Sequence, residues 1–138
     1  MSDDDNLYGD EHVRAYIDTG GERGYHWRGT TILLLTTTGR KSGAPRVMPL
    51  IFRELDGNPV IVASKGGAPE HPAWYLNMQE DPEVEVQVKG DVFKARARDA
   101  EGEERERYWQ AMLEVWPDYA DYQSKTDRQI PVVVLERQ

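Results

Sequence analysis

The 138-residue chain has no cysteine and only three histidines, His12, His26 and His71. A thiol nucleophile, a CxxC redox pair, a cysteine-ligated iron cluster and a zinc finger are therefore excluded. Any redox chemistry has to come from an organic cofactor. The lack of disulfide or metal staples is tolerable, because a chain of this length buries roughly two thirds of the surface its unfolded form exposes, enough for one domain. Long apolar runs are also absent. The longest, residues 32–35 and 130–135, the second containing Pro131, fall far short of the roughly 20 residues of a membrane-spanning helix. Residues 1–6 are acidic where a secretory leader would be basic and then apolar. The expectation is a cytoplasmic protein. Peripheral contact at the inner face of a membrane is left open but has no support in the sequence.

Positive charge is in short supply, with 17 Lys and Arg against 25 Asp and Glu and a net charge of -8. An acidic chain repels a nucleic-acid backbone, which disfavours that class of partner. Within the deficit lies one cationic island. Residues 39–65 carry five basic and two acidic residues, whereas both flanking stretches are net acidic. Arg40, Lys41, Arg46 and Lys65 are thus candidates to hold a small polyanion, the alternative being scattered surface cations.

Periodicity and turn chemistry predict the elements. A short helix over 12–17 is stopped by Gly20 and Gly21. Residues 30–38 (TTILLLTTT) read as a buried strand, and 44–53 and 60–64 flank Asp56-Gly57, a hairpin signal, so the three strands form a meander. A helix over 72–79 starts at Pro72 and ends before Pro82. Two alternating segments, 84–88 and 92–98, surround Gly90-Asp91 as a second hairpin, and one face of the second strand is basic. Asp99 is a plausible N-cap for a helix over 101–116 that aligns Trp109, Met112, Leu113 and Trp116. Pro117 breaks that helix, a tyrosine-rich segment follows, and 130–135 closes as a strand. About six strands joined mostly by tight turns, with two or three helices, describe a mainly β (α+β) antiparallel barrel with peripheral helices.

Three constellations could carry chemistry. Residues 36–43 (TTTGRKSG) superficially look like a P-loop but lack its glycine spacing and its following helix; what remains is a glycine-bracketed turn presenting Arg40, Lys41 and Ser42, suited to phosphate or carboxylate. Residues 63–69 (ASKGGAP) end a strand in a loop where Gly66 and Gly67 permit positive φ and close approach of a flat ligand. Ser64 there is in no GxSxG elbow. Trp116, Tyr119 and Tyr122 recur every three residues and either pack on the barrel or wall a pocket. His71, beside Pro72, is an acid–base candidate or a solvated loop side chain. The histidines show no metal-ligand spacing, so no metal site is expected.

Taken together, LLLTTTGRKSGAPRVMPL (33–50), VIVASKGGAPEHPAWYLN (60–77), EVEVQV (83–88), ARDAEGEERERYW (97–109) and DYADYQSKTDRQIPVVV (118–134) closely resemble the deazaflavin-dependent nitroreductase family of actinobacteria. The resemblance runs over nearly everything after residue 30. It implies a split β-barrel related to the FMN-binding pyridoxamine-phosphate oxidases, spanning 30–138 and preceded by an acidic tail and short helix over 1–29. The implied cofactor is coenzyme F420, an 8-hydroxy-5-deazaflavin with a phosphate and an oligoglutamate tail. The implied reaction is hydride transfer to a quinone-like or nitroaromatic acceptor. Matched by position, Arg40, Lys41, Ser42 and Arg46 are expected at the phosphate and tail. Met48, Pro49 and Leu50 are expected along the deazaflavin edge, with Ala63, Ser64, Lys65 and Gly66 beside it and Ala73, Trp74, Tyr75 and Asn77 closing over it. Ser64, Tyr119 and Tyr122 are the expected catalytic hydroxyls and, with Trp116, border the acceptor site. Members that activate bicyclic nitroimidazoles have tyrosine where this chain has Trp116. Rival readings on the same fold are an FMN enzyme or haem-type binder, and a non-enzymatic F420 carrier. The sequence does not decide the oligomeric state.

Overall fold

A computed structural model describes residues 3–138. A single 3₁₀ turn precedes helix α1 (Gly9–Thr19), and strands β1 (His26–Trp27) and β2 (Thr30–Thr38) follow. Then come β3 (Pro45–Leu55), β4 (Asn58–Val62), α2 (Ala73–Glu80), β5 (Glu83–Val88) and β6 (Asp91–Asp99). The chain ends with α3 (Gly102–Val115), α4 (Asp118–Ser124) and β7 (Val132–Arg137). Every strand pair is antiparallel. Strands run β2-β3-β4-β7-β6-β5, and β5 pairs back onto β2, which closes a six-stranded barrel with β1 as an outer flap on β2. This is the split β-barrel with peripheral helices that the sequence predicts.

Local chemistry accounts for most boundaries. The β3–β4 turn places Asp56 at φ 54 and Gly57 at φ 87, the left-handed pair that a two-residue hairpin requires. Gly20 ends α1 in the left-handed region, its N–H returning to the last carbonyls. Two expectations shift. The second hairpin turns on Lys89 and Gly90, so that Asp91 already pairs with Val88. Asp99 is the last residue of β6 rather than the cap of α3: the helix starts from Glu101 without a side-chain cap, and Asp99 accepts the Tyr75 hydroxyl at 2.6 Å.

The uninterrupted apolar run of β2 is explained by burial on both faces. Leu33 and Leu35 point into the barrel with Phe52, Ile61, Val86, Val133 and Leu135. Ile32 and Leu34 face outward and pack beneath α1 against Tyr16. Tyr16 is fully buried, donates to Ile32 O (2.9 Å) and accepts from Lys89 N–H (2.7 Å), and burial pushes its phenol up to about 12. The same two-sided logic holds for β4 and β7, whose outer residues Val60, Val62, Val132 and Val134 lie under Tyr108 and Met112 of α3 and Tyr119 of α4. Of the predicted α3 stripe only Met112 is fully buried; Trp109, Leu113 and Trp116 are half-buried at its edge. Arg107 and Tyr108 bond to Asp56 and pin α3 over the β3–β4 turn. Two cations of the basic face of β6 are paired locally, Arg96 with Glu83 and Arg98 with Glu104 and Glu136.

Candidate functional site

The outward layers around β3 and β4 leave between them a cavity of about 990 Å³, at the upper end of the size range for cofactor and small-molecule sites. Among the described residues its lining includes Arg40, Lys41, Arg46 and Lys65 but no aspartate or glutamate. In a chain of net charge -8 this gathers the cationic island onto one concave surface, where low-dielectric walls concentrate its field.

The cationic side is built by the turn between β2 and β3. Gly39 N–H donates to Ala44 O and Gly43 N–H to Gly39 O, both at 2.8 Å. A side chain at Gly39 would stand 3.0 Å from Ala44 O and from Ser42 Oγ, so a larger residue there would make the turn give by a few tenths of an ångström. Arg40 is anchored: its backbone N–H and its guanidinium both donate to Asn77 Oδ1, at 3.2 and 2.9 Å. Asn77 is buried, and its Nδ2 donates to Thr37 Oγ1 at 3.1 Å. The turn is thereby tied to α2. Lys65 pairs with Glu70 at 3.3 Å on the surface. Lys41 and Arg46 are exposed and have no ion-pair or hydrogen-bond partner among the described residues, leaving two cations available to a ligand.

The loop after β4 forms the adjoining wall. Ser64 is right-handed and Lys65 left-handed (φ 46), a sequence that turns successive backbone N–H groups to one side. Gly67, with φ +84, lies so close to α4 that a Cβ there would be 2.6 Å from Tyr122 O. This contact brings the loop and the tyrosines into one site.

Aromatic side chains from β1, the end of α3 and α4 complete the lining. Trp116 stacks on Trp27 with centroids 6.3 Å apart, and its indole N–H donates to Tyr122 Oη at 3.3 Å. Tyr119 is buried, and burial followed by the neighbouring Tyr122 pushes its phenol well above the ordinary range, so that it stays a neutral donor. Among the described residues its hydroxyl has no partner, yet no buried side-chain polar atom there lacks one. The oxygen is therefore accessible, and Tyr119 lines the cavity.

Of the residues singled out from sequence, Arg40, Lys41, Ser42, Arg46, Met48, Pro49, Leu50, Ser64, Lys65, Gly66, Ala73, Trp74, Asn77, Trp116, Tyr119 and Tyr122 all line the cavity. Ala63 and Tyr75 do not. Ala63 is fully buried in the barrel, its N–H donating to Pro131 O and its carbonyl accepting from Arg128. Tyr75 turns its hydroxyl to Asp99, and burial followed by that hydrogen bond pushes its phenol far up. His71 is not in the lining; its Nδ1 accepts from Arg128 at 3.1 Å and its ring lies 4.7 Å from Tyr75. Sequence reasoning missed Tyr8, His12 and Trp27, which bring residues 8–27 of the N-terminal segment to the wall. His12 is almost wholly buried and bonds through Nε2 to Gly24 O at 2.8 Å. The only signal for it was a histidine on a helix with few apolar positions.

Comparison with known proteins gives a consistent picture. The profile of the F420H(2)-dependent quinone reductase family matches residues 9–137. The F420H(2)-dependent quinone reductase Rv1261c of Mycobacterium tuberculosis is 39% identical over 130 residues, covering 91% of this chain and 87% of the relative. An F420-H2 dependent reductase structure, FDR-A, is 50% identical, with a TM-score of 0.71 over 79% of this chain and 95% of its own. A structure described as a domain-swapped dimer is 46% identical, with a TM-score of 0.74 over 91% of this chain and 95% of its own. In fold alone, a pyridoxamine 5'-phosphate oxidase-type protein from Listeria innocua aligns at a TM-score of 0.55 and 15% identity over 78% of this chain and 83% of its own.

Proposed function

The chain belongs to the F420H(2)-dependent quinone reductase family, and from that premise we propose how its cavity divides the work. The protein is an F420-dependent oxidoreductase that reduces a quinone; a nitroaromatic is the further acceptor class we assign to it. The observation that carries this reading is the cavity lined, among the described residues, by four cations and no carboxylate in an acidic protein. A polyanion with a flat aromatic head fits that lining, with unpartnered cations on one side and indoles and phenols on the other.

Lys41 and Arg46, with Arg40 and Ser42 beside them, would hold the phosphate and the carboxylate tail, arginine through its planar fork and lysine as a point charge. The 64–66 backbone, Met48, Pro49, Leu50, Ala73 and Trp74 would frame the ring system. When bound, the reduced deazaflavin supplies the hydride. The chain's own contribution is placement and electrostatics. Trp116 presents an aromatic wall to a planar acceptor. Tyr119 and Tyr122, together with Ser64, offer neutral hydroxyl donors to the acceptor oxygen on which negative charge develops, as an oxyanion hole does. Trp116 N–H, by donating to Tyr122 Oη, leaves the Tyr122 proton free to point into the site.

The test is quenching of F420 and FMN fluorescence by the purified protein, then oxidation of reduced F420 with menadione added. F420 binding with menadione-dependent oxidation is the expected result. Binding without oxidation of any acceptor would replace this reading by a carrier, and FMN binding alone by a flavin enzyme.

A further inference from the structure

The loop that forms one wall of the cavity is held by a residue that does not line it. Arg128 lies on the connection between α4 and β7. Its Nε donates to Ala68 O (2.8 Å), and its two terminal nitrogens donate to Ser64 O (2.7 Å), Ala63 O (3.2 Å) and His71 Nδ1 (3.1 Å). One planar guanidinium thus satisfies three carbonyls and one ring nitrogen spread over nine residues of chain. Among the described residues no carboxylate is hydrogen-bonded to it.

The loop needs such a holder. Lys65, Gly66 and Gly67 are all left-handed, and the turn's own bonds are Gly67 N–H to Ser64 O and Ala68 N–H to Lys65 O. Arg128 is itself fixed to α4: Gln123 Nε2 donates to Arg128 O at 2.8 Å, and Gln123 Oε1 accepts Ile130 N–H at 2.9 Å. The helix that carries Tyr119 and Tyr122 therefore grips the segment from which Arg128 reaches the 63–68 loop.

We propose that Arg128 is a positioning residue: it sets the shape of the loop bearing Ser64, Lys65 and Gly66 and its separation from the tyrosines of α4. This rests on the F420 reading for its functional consequence, but its structural part stands without it. Lysine cannot replace it, since an ammonium has three donors and no planar fork for acceptors arranged around one plane.

The experiment pairs amide hydrogen exchange of the cofactor-free protein with F420 fluorescence titration. Arg128→Ala is expected to speed exchange at Gly67 and Ala68 about tenfold, because the charge-assisted bonds that close the loop are lost. Barrel amides such as Leu33 should be unchanged. The F420 Kd should also rise about tenfold, and guanidinium ion added at a non-denaturing concentration should restore both, by refilling the vacated site. The same ion should not restore affinity to Lys41→Ala, whose defect is elsewhere. Wild-type exchange at Gly67 and Ala68, a wild-type Kd, or a loss that guanidinium does not repair overturns the proposal. Arg128→Lys carries the same test should the alanine variant not fold: faster loop exchange and weaker binding support it, wild-type values refute it. If the wild-type protein itself fails to bind F420, the cofactor assignment falls, and the exchange experiment alone decides whether Arg128 holds the loop.

Discussion

Two adjacent glycines on the 63–68 loop provide a controlled test of how the cavity wall is assembled. Gly66 and Gly67 both have left-handed backbones, with φ +63 and +84. A Cβ at Gly66 meets nothing within 4 Å, whereas one at Gly67 would lie 2.6 Å from Tyr122 O and 2.9 Å from Tyr122 Cα. Each alanine substitution incurs left-handed strain of about 1–2 kcal/mol. Each also gains the same small stabilisation from a less flexible unfolded chain, which cancels in the comparison. Gly67→Ala alone adds overpacking against backbone that cannot rotate aside, about 1–3 kcal/mol. Against a total stability of about 5–15 kcal/mol for such a domain, and at about 3 °C per kcal/mol for this chain length, Gly67→Ala should lower Tm by about 3–9 °C more than Gly66→Ala does. Calorimetry of the two variants beside wild type measures the difference. Equal shifts, or a larger one for Gly66→Ala, would show that the loop does not pack on α4 as described.

The remaining predictions concern the ligands and pH. Replacing Lys41 and Arg46 together with alanine should weaken F420 binding about 100-fold, at about 1.5 kcal/mol for each charge-assisted contact, and leave Tm unchanged, since neither side chain has a partner among the described residues; an unaltered titration would remove both from the phosphate site. Tyr122→Phe should lower turnover with menadione about 100-fold to 1000-fold, the usual cost of one donor to a developing oxyanion, with F420 affinity intact, and equal kinetics would end that assignment. His71 is held below its ordinary value of 6.5 by burial and then by the Arg128 guanidinium. Below pH 6.5 the unfolded chain binds a proton that the folded ring resists, so stability present at neutral pH is lost as pH falls through 6.5 towards the folded value. His71→Asn, which keeps an acceptor for Arg128 but does not titrate, should flatten that decline in urea midpoints between neutral pH and pH 5, and parallel curves would refute the role.

The sequence by itself determined what depends on near neighbours along the chain. The β2 run, the left-handed Asp56-Gly57 turn, the start of α2 at Pro72 and the glycine-bracketed turn with its cations are legible because period and turn chemistry act over a few residues. The resemblance of five ordered motifs supplied the cofactor and a list of site residues, most of which line one cavity. Only the tertiary structure decided which side of each element would be covered and by what. That β2 is buried on both faces depends on α1 crossing it. Asp99 looks like a helix cap until Tyr75 arrives from 24 residues away. The role of Arg128 rests on carbonyls about 60 residues distant in sequence, and His12 and Trp27 reach the cavity only because the N-terminal segment folds back over the barrel. Gly67 reads as one more flexible loop residue, yet its missing side chain is what lets the loop after β4 touch the helix bearing the tyrosines. Such contacts join residues whose local patterns carry no record of each other, and only closure of the barrel brings them within a few ångströms.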